Sequence, residues 1–342
     1  MTDIGLDHVG QDEVGNVIGW FGRRPDVPAV VVAAHLDTVF GPEVDVSVHR
    51  TGKVLTGPGI ADNARGLAGM LALGNILASG KWSDAKPIAF VGTVGEEGAG
   101  DLKGIKHLFA STGLRADAVI VLDGAGDDRI VHCALGTRRL RVIYRGPGGH
   151  SWSAFGVPNP AHAAGTLAQA VGELPRSRAP RSACSVVGLS GGSGLNCIPA
   201  QARVEIDLRS EDQWMLLSLE TEVRARAAMA LEQENARRNP GTPVLQMTVD
   251  IIGDRPSGRT PADDPLVDAG IEATRAIARQ PSLATASTDA NVPIALGIPA
   301  IALGAGGRAG EPHRTTEWFE NAEGALGLYR ALLVLAAAAE LQ

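Results

Sequence analysis

The sequence predicts an α/β domain with a mostly parallel central sheet, interrupted by an α+β insert. In residues 1–137, and again from residue 254, apolar runs alternate with helical patterns, which is typical of βαβ units. From residue 138, apolar and charged residues alternate with a period of two, which indicates strands with one solvated face. We therefore expect one domain formed by residues 1–137 and 254–342, and a second domain at residues 138–253.

The charge balance argues against highly anionic partners. The chain has 342 residues, and 31 Lys and Arg against 38 Asp and Glu give it a net charge of −7. Nucleic acid and anionic membranes bind basic surfaces, so neither is expected as a partner. No apolar run reaches the ~18 residues of a membrane span, and no signal-peptide pattern opens the chain. Because Cys133, Cys184 and Cys197 are odd in number and widely spaced, they suit free thiols, and we expect a cytoplasmic protein.

The first apolar run, residues 29–34, predicts a buried strand that ends in His35-Leu36-Asp37. His35 is a candidate metal ligand. Asp37, two residues on, could accept the other imidazole N–H and fix the tautomer. A structural hydrogen-bonded pair is the alternative for such a short motif.

A glycine-rich loop then leads into a predicted helix through Leu67 and Ile76. Asp62 lies in that loop, where free backbone N–H groups can hold a carboxylate. The alternative for Asp62 is an ordinary helix N-cap.

The next apolar run ends in Glu96-Glu97, between glycines. Neighbouring side chains at a strand end point in different directions, so Glu97 could bind a metal while Glu96 moves a proton. A solvated turn is the alternative. A third apolar run, residues 118–122, ends at Asp123. Because α/β sheets bind ligands at the carboxyl ends of their strands, we expect His35, the glutamate pair and Asp123 to meet there.

The insert and the C-terminal part contain further candidates. We expect strands near 183–189, 202–208 and 244–251 and helices near 160–174 and 211–238 in the insert, then a helix at 265–278 and a strand at 298–303. Polar residues beside turns or strand ends are His150, Asn196 and Arg209, for which turn chemistry or a surface ion pair is the alternative. His313 follows the last glycine run and is a second candidate histidine ligand.

In chain order, His35-Leu36-Asp37, Asp62, Glu96-Glu97, Asp123 and His313 resemble the co-catalytic zinc exopeptidase and amidohydrolase superfamily, which includes aminoacylase, carboxypeptidase G, succinyl-diaminopimelate desuccinylase and peptidase T. The resemblance covers nearly the whole chain, and five separated loops agree in residue type and order. It implies a zinc-exopeptidase-like catalytic domain interrupted by a lid and dimerisation domain. Arg65 departs from the pattern, because many members have lysine there.

The resemblance also implies the roles of the site residues. Two zinc ions per subunit, with cobalt or manganese as substitutes, would be held by His35 and Asp123 on one side and by Glu97 and His313 on the other, with Asp62 bridging. Glu96 would take a proton from the bridging water. By the same resemblance, His150 would stabilise the oxyanion in the partner's site, and Asn196 and Arg209 would contact the substrate. Arg255 and Thr288 would lie near the site, and a cis peptide bond would follow Asp62.

Together these residues predict a metal-dependent hydrolase of a peptide or amide bond in a small substrate, with a di- or tripeptidase as the first expectation. An N-acyl-amino-acid deacylase is the alternative, because both reactions use the same nucleophile. A non-catalytic, metal-binding relative is a third hypothesis, against which the presence of Glu96 argues. A nicotinamide site is disfavoured because Gly57-Pro58-Gly59 lacks the third glycine of the dinucleotide fingerprint. A homodimer through the insert is expected.

Overall fold

The structure, a computed structural model, describes residues 1–24, 26–82, 85–192 and 194–342. It divides into a larger unit, Met1–Ala134 with Gly258–Gln342, and a smaller unit, Leu135–Ser257. The predicted boundaries at 137/138 and 253/254 fall inside two strands, Gly136–Arg145 and Gln246–Arg255, which pair as far as Thr137 and Arg255. This continuous pairing places both strands wholly in the smaller unit.

The first part of the larger unit begins with a 3-10 turn at Thr2–Ile4 and has a second at Gly98–Gly100. Its strands and helices are β1 (Asp7–Gln11), β2 (Val17–Phe21), β3 (Ala29–His35), β4 (His49–Thr51), β5 (Val54–Thr56), α1 (Ala64–Ser79), β6 (Ile88–Thr93), α2 (Lys103–Ser111), β7 (Ala116–Leu122) and β8 (Arg129–Ala134).

The smaller unit is an antiparallel sheet covered by two helices. Its elements are β9 (Gly136–Arg145), β10 (Gly149–His150), α3 (Pro160–Gly172), β11 (Ser182–Gly191), β12 (Cys197–Ile198), β13 (Gln201–Ser210), α4 (Gln213–Ala236) and β14 (Gln246–Arg255). The sheet has the order β11-β13-β9-β14. Burial alternates along β13, with every second residue in the core that α3 and α4 cover, as the period-two pattern predicts.

The chain then returns to the larger unit. The remaining elements are β15 (Gly258–Arg259), α5 (Pro265–Ala276), β16 (Ser282–Ala286), α6 (Asn291–Ala295), β17 (Ala300–Leu303), β18 (Arg308–Gly310), β19 (Trp318–Glu320) and α7 (Gly324–Ala339). None of the helices in the described part of the chain is long and apolar enough to cross a membrane.

The main sheet of the larger unit has the order β1-β2-β6-β3-β7-β17-β8-β15, with β16 beside β8. Its centre, β6-β3-β7-β17, is parallel, which confirms the predicted fold class. Strand β2 runs antiparallel to β6, and β8 runs antiparallel to β17, whereas β16 pairs with β8 in parallel. Alternate residues of β3 belong to two different cores. Val30 and Val32 pack on the face of the sheet that α1, α5 and α7 cover, and Val31 and Ala33 pack on the face that α2 and α6 cover. Such two-sided burial explains why the central strands are continuous apolar runs.

A small sheet of order β18-β19-β5-β4 brings distant parts of the chain to the edge of the main sheet. The loop between β18 and β19 contains His313, and the loop after β5 contains Asp62. Strand β19 pairs with β5, and the backbone N–H of Gly57 donates to the carbonyl of Glu317 at 2.9 Å. This pairing is what places His313 next to Asp62.

Candidate metal centre

His35 is the last residue of β3, and only 2% of it is exposed. Its Nδ1 lies 2.9 Å from the backbone carbonyl of Asp37. A carbonyl only accepts, so Nδ1 carries the proton, and in the neutral imidazole Nε2 presents a lone pair. Nε2 lies 3.0 Å from Asp62 Oδ1 and 3.9 Å from Asp123 Oδ1. The tautomer therefore aims a ligand atom at two carboxylates.

The carboxylate of Asp37 does not make the hydrogen bond that the sequence suggested. Its Oδ1 is 4.0 Å from His35 Nδ1, and it accepts instead from the backbone N–H groups of Glu96 at 3.0 Å and Glu97 at 2.9 Å. The turn after β6 presents two adjacent backbone N–H groups within reach of Asp37, which follows β3. The Asp37 carboxylate binds these N–H groups instead of the imidazole. Asp37 thus orients His35 through its main chain and the glutamate turn through its side chain.

Asp62 lies between the two histidines. Its Oδ1 is the atom near His35, and its Oδ2 is 3.1 Å from His313 Nε2. Oδ1 is buried and makes no hydrogen bond within the described residues, despite the short distance to the imidazole. The predicted cis peptide is present between Asp62 and Asn63.

The second half of the centre follows β6. Glu97 Oε1 is 2.9 Å from His313 Nε2, and Glu96 beside it is buried, with 5% exposed. Potential ligand atoms lie within 4.8 Å of one another in three sets, His35 with Glu96 and Glu97, His35 with Asp62 and Asp123, and Asp62 with Glu97 and His313. All five predicted ligands are therefore brought together, and Asp62 belongs to two sets.

The electrostatics of the centre suit a bound cation. Burial alone would lower the pKa of His35, but the adjacent Asp62, with Asp123 and Glu96, raises it to about 11. Burial raises the pKa of Asp123 to about 6, although the nearby His35 acts to lower that pKa. Burial, and then the charge of Asp62, also raise the pKa of Glu97. These carboxylates outnumber the imidazoles, so without a metal the centre retains protons that a divalent ion would displace.

The side-chain donor atoms of the centre suit a metal ion that is bound by nitrogen and oxygen. The unpartnered buried oxygen of Asp62 and the lone pair of His35 Nε2 converge on the same space, which a cation would fill. The three sets contain imidazole nitrogens and carboxylate oxygens and no cysteine. Such ligands suit zinc, and also cobalt or manganese, better than soft metals.

The sequence profile of peptidase family M20/M25/M40 matches residues 31–339, a range that includes every predicted ligand. The chain belongs to this family. The resemblance predicted from the ligand motifs is thus confirmed at the level of the family, and with it a hydrolase.

Individual M20/M25/M40 relatives are distant. The Escherichia coli K12 protein YgeY is 27% identical over 44% of this chain, and the match spans only 38% of YgeY. A tripeptidase of Staphylococcus aureus is 21% identical, with a TM-score of 0.78 over 99% of this chain and 90% of its own. Bacillus subtilis YxeP, described as a dinuclear metal binding peptidase, is 16% identical, with a TM-score of 0.67 over 98% and 89%. At these identities the two structures establish the shared fold.

Two cavities of the larger unit open beside the candidate metal ligands. One, of about 610 Å³, is lined by Asp62 and Asp123, by the loop at residues 124–128 and by Arg308 and Trp318. The other, of about 330 Å³, is lined by Asp123 and Thr288 among others. Thr288, predicted to lie near the site, therefore shares a cavity with a candidate ligand. Its hydroxyl accepts from the N–H of Ala290 at 3.2 Å.

The other predicted substrate residues belong to the smaller unit. His150 Nε2 lies 3.3 Å from Asn196 Nδ2, since β10 and β12 pair His150 with Cys197. Arg209 donates to Asp207 Oδ2 at 2.7 Å, an ion pair of the kind that the sequence left open, and Arg255 is buried. Their contacts with substrate stay predictions.

Three residues support the centre although the sequence assigned them no role in it. Glu317 accepts hydrogen bonds from three amides of the Asp62 loop, Asn63 contacts the peptide groups on both sides of Asp123, and Arg65 donates to three carbonyls. For Glu317, the available signal in the sequence was its position four residues after His313. Nothing in the sequence indicated the partners of the other two, because these lie about 60 to 260 residues away.

Proposed function

We propose that the chain is a dinuclear-metal-dependent hydrolase that cleaves a peptide or amide bond in a small substrate, with di- and tripeptides as the first candidates. The observation that carries this proposal is the position of Asp62, which turns one carboxylate oxygen to each of two imidazoles. The similarity to the tripeptidase and to the dinuclear peptidase YxeP supports it.

His35 and Asp123 would hold one metal, Glu97 and His313 the other, and Asp62 would contact both. When bound, two zinc ions, or cobalt or manganese in their place, would lower the pKa of a shared water and polarise the scissile carbonyl. The protein side chains supply the fixed geometry that this requires.

Glu96 would act as the general base and then as the general acid. It is buried next to His35 and Glu97, and its backbone N–H is held by Asp37, so its carboxylate starts from a fixed position. It would take a proton from the attacking water and return it to the leaving amine. Asp37 would serve as an orienting residue for this turn and for His35.

The smaller unit would provide substrate recognition and the dimer contact. His150 would stabilise the oxyanion in the partner's site, and Asn196 would contact the substrate. Arg209 would bind a substrate carboxylate, since Asp207 already orients its guanidinium. Thr288 of the larger unit and Arg255 of the smaller unit are further candidates for substrate contacts. β11 is an edge strand with exposed apolar residues, which supports a homodimer through this unit. A cytoplasmic location without nucleic-acid or membrane partners remains our expectation from composition.

The test combines elemental analysis with a turnover assay on dipeptides, tripeptides and N-acyl amino acids, before and after chelation. We expect about two equivalents of zinc and a peptidase activity that is lost to the chelator and restored by metal. Turnover restricted to N-acyl amino acids would instead establish the deacylase. Metal binding without turnover of any amide would favour the non-catalytic relative, and a protein that binds no metal would contradict the proposal.

Glu96→Gln tests the proton transfer separately. The variant should keep both metals and lose about 10²- to 10⁴-fold in kcat, because an amide cannot accept the proton. Full turnover with both metals bound would contradict the role of Glu96. Glu13→Gln, at an exposed position, is the matched control.

A further inference from the structure

Glu317 is a buried carboxylate that belongs to none of the ligand sets. Only 1% of it is exposed. Its Oε1 accepts from the N–H groups of Ala61 and Asp62, both at 2.8 Å, and its Oε2 accepts from that of Gly59 at 3.1 Å. Three amides directed at one carboxylate compensate its charge and hold the loop on the N-terminal side of Asp62.

The same residue also holds the segment of His313. The N–H of Glu317 donates to the carbonyl of Arg314 at 3.0 Å and closes the turn at residues 314–317, which directly follows His313. His313 has φ of +63°, a conformation that non-glycine residues adopt only when the surroundings impose it. Glu317 therefore connects His313 with Asp62, through its main chain on one side and its side chain on the other.

Asn63 connects Asp62 with Asp123. It is 1% exposed, its Nδ2 donates to the carbonyl of Leu122 at 2.9 Å, and its Oδ1 accepts from the N–H of Gly124 at 3.0 Å. These two peptide groups lie directly before and after Asp123. The Asn63 side chain thus fixes the position of Asp123 against Asp62, its own neighbour in the chain.

We infer that Glu317 and Asn63 are positioning residues with separable effects on the two metals. Glu317 sets Asp62, which belongs to both metal sets, so its loss weakens both. Asn63 sets Asp123, which belongs only to the set with His35, so its loss weakens one. The inference rests on the proposed dinuclear function. Partners of this kind around metal ligands typically contribute about 10- to 100-fold to metal affinity.

The test is a zinc titration of the chelator-treated, full-length protein by calorimetry, with cobalt absorption as an independent signal of ligand geometry. Glu317→Gln keeps the shape but turns an NH₂ group towards one of the amide donors, and we expect both dissociation constants to rise about 10- to 100-fold. Asn63→Ser can still cap α1 but is too short to contact Leu122 and Gly124. We expect about a 10-fold or larger rise in one dissociation constant and little change in the other.

Matched controls are Glu320→Gln on β19 and Asn75→Ser on the exposed side of α1, which should titrate like the wild type. Circular dichroism confirms the fold first, and Glu317→Asp, which keeps the charge, replaces Glu317→Gln if that variant does not fold. Wild-type-like affinities in the Glu317 variant, or equal weakening of both sites in Asn63→Ser, would overturn the inference while the proposed function stands. A wild-type protein that binds no zinc would overturn both.

Discussion

Replacing Arg65 by lysine tests how the start of α1 is held at the metal centre. Arg65 follows Asp62 by three residues. Its Nε donates to the carbonyl of Gly306 at 3.2 Å, and its Nη2 donates to Ala305 at 2.5 Å and Gly324 at 3.1 Å. The guanidinium also lies over the ring of Phe319, 5.3 Å from its centroid. The residue thereby ties α1 to the glycine loop after β17 and to the start of α7.

The magnitude follows from the shape of the two cations. Lysine keeps the charge but has a single nitrogen at its end, so we expect it to retain one of the three hydrogen bonds. Two lost bonds at about 1 kcal/mol each, with about 0.5 kcal/mol of weaker stacking, give a destabilisation of about 2.5 kcal/mol. For a unit of this size, that lowers Tm by about 5 to 10 °C.

The assay is differential scanning calorimetry of the metal-free protein, in which the transition of the larger unit is followed separately. Arg50→Lys on β4 is the matched control, because the guanidinium of that exposed arginine donates to the carbonyl of Gly52 at 3.3 Å. A Tm for Arg65→Lys equal to that of the control would refute the reasoning that the planar fork, rather than the charge, holds α1 in place.

Two further predictions concern the centre itself. Asp37→Asn turns an NH₂ group towards the amides of Glu96 and Glu97, so we expect kcat to fall by about 10- to 100-fold at saturating zinc; Asp7→Asn is the control, and unchanged kcat would contradict the role of Asp37. The raised pKa values of His35, about 11, and Asp123, about 6, mean that the folded, metal-free state binds extra protons, so their stabilising contributions are complete at low pH and are lost as pH rises. Between pH 5 and 8 the Tm of the metal-free protein should therefore fall. The increase in Tm on adding zinc should grow over the same range, because zinc displaces fewer protons at higher pH. Scanning fluorimetry with and without zinc measures both trends, and slopes of the opposite sign would refute this prediction.

The central strands and most helices could be predicted because their signals are local. The run at β3 is apolar on both faces, and the alternation at β13 marks a one-sided strand, so each pattern specifies its own environment. Short elements were missed for the opposite reason. Strands such as β5 and β19 have three residues each and are stabilised by each other, across more than 250 positions of sequence. No local periodicity can report such a pair.

His35, Glu97 and Asp123 could be predicted as candidate ligands because they follow strong strand signals, whereas the contacts among the ligands could not. The sequence assigned to Asp37 the nearest polar partner, the imidazole two residues away. The structure gives its carboxylate to Glu96 and Glu97, because the parallel pairing of β3 with β6 places their N–H groups within its reach. Which hydrogen bond forms is decided by the register between strands, a property of the fold.

The competing hypotheses for Asp62, a metal ligand or a helix N-cap, are separated by its neighbour. Helix α1 is capped by Asn63, whose Oδ1 accepts from the N–H of Gly66 at 3.0 Å. Asn63 occupies the N-cap position, and Glu317 accepts the hydrogen bond from the N–H of Asp62. The Asp62 carboxylate is therefore not needed to cap α1 or to hold its own loop. Its two oxygens are consequently directed to His35 and His313, and the pKa of Asp62 is lowered because, despite burial, both imidazoles favour the charged form. A carboxylate excluded from capping, charged and shared between two imidazoles has the geometry of a bridging ligand, and this assignment follows from the residues around Asp62 rather than from Asp62 alone.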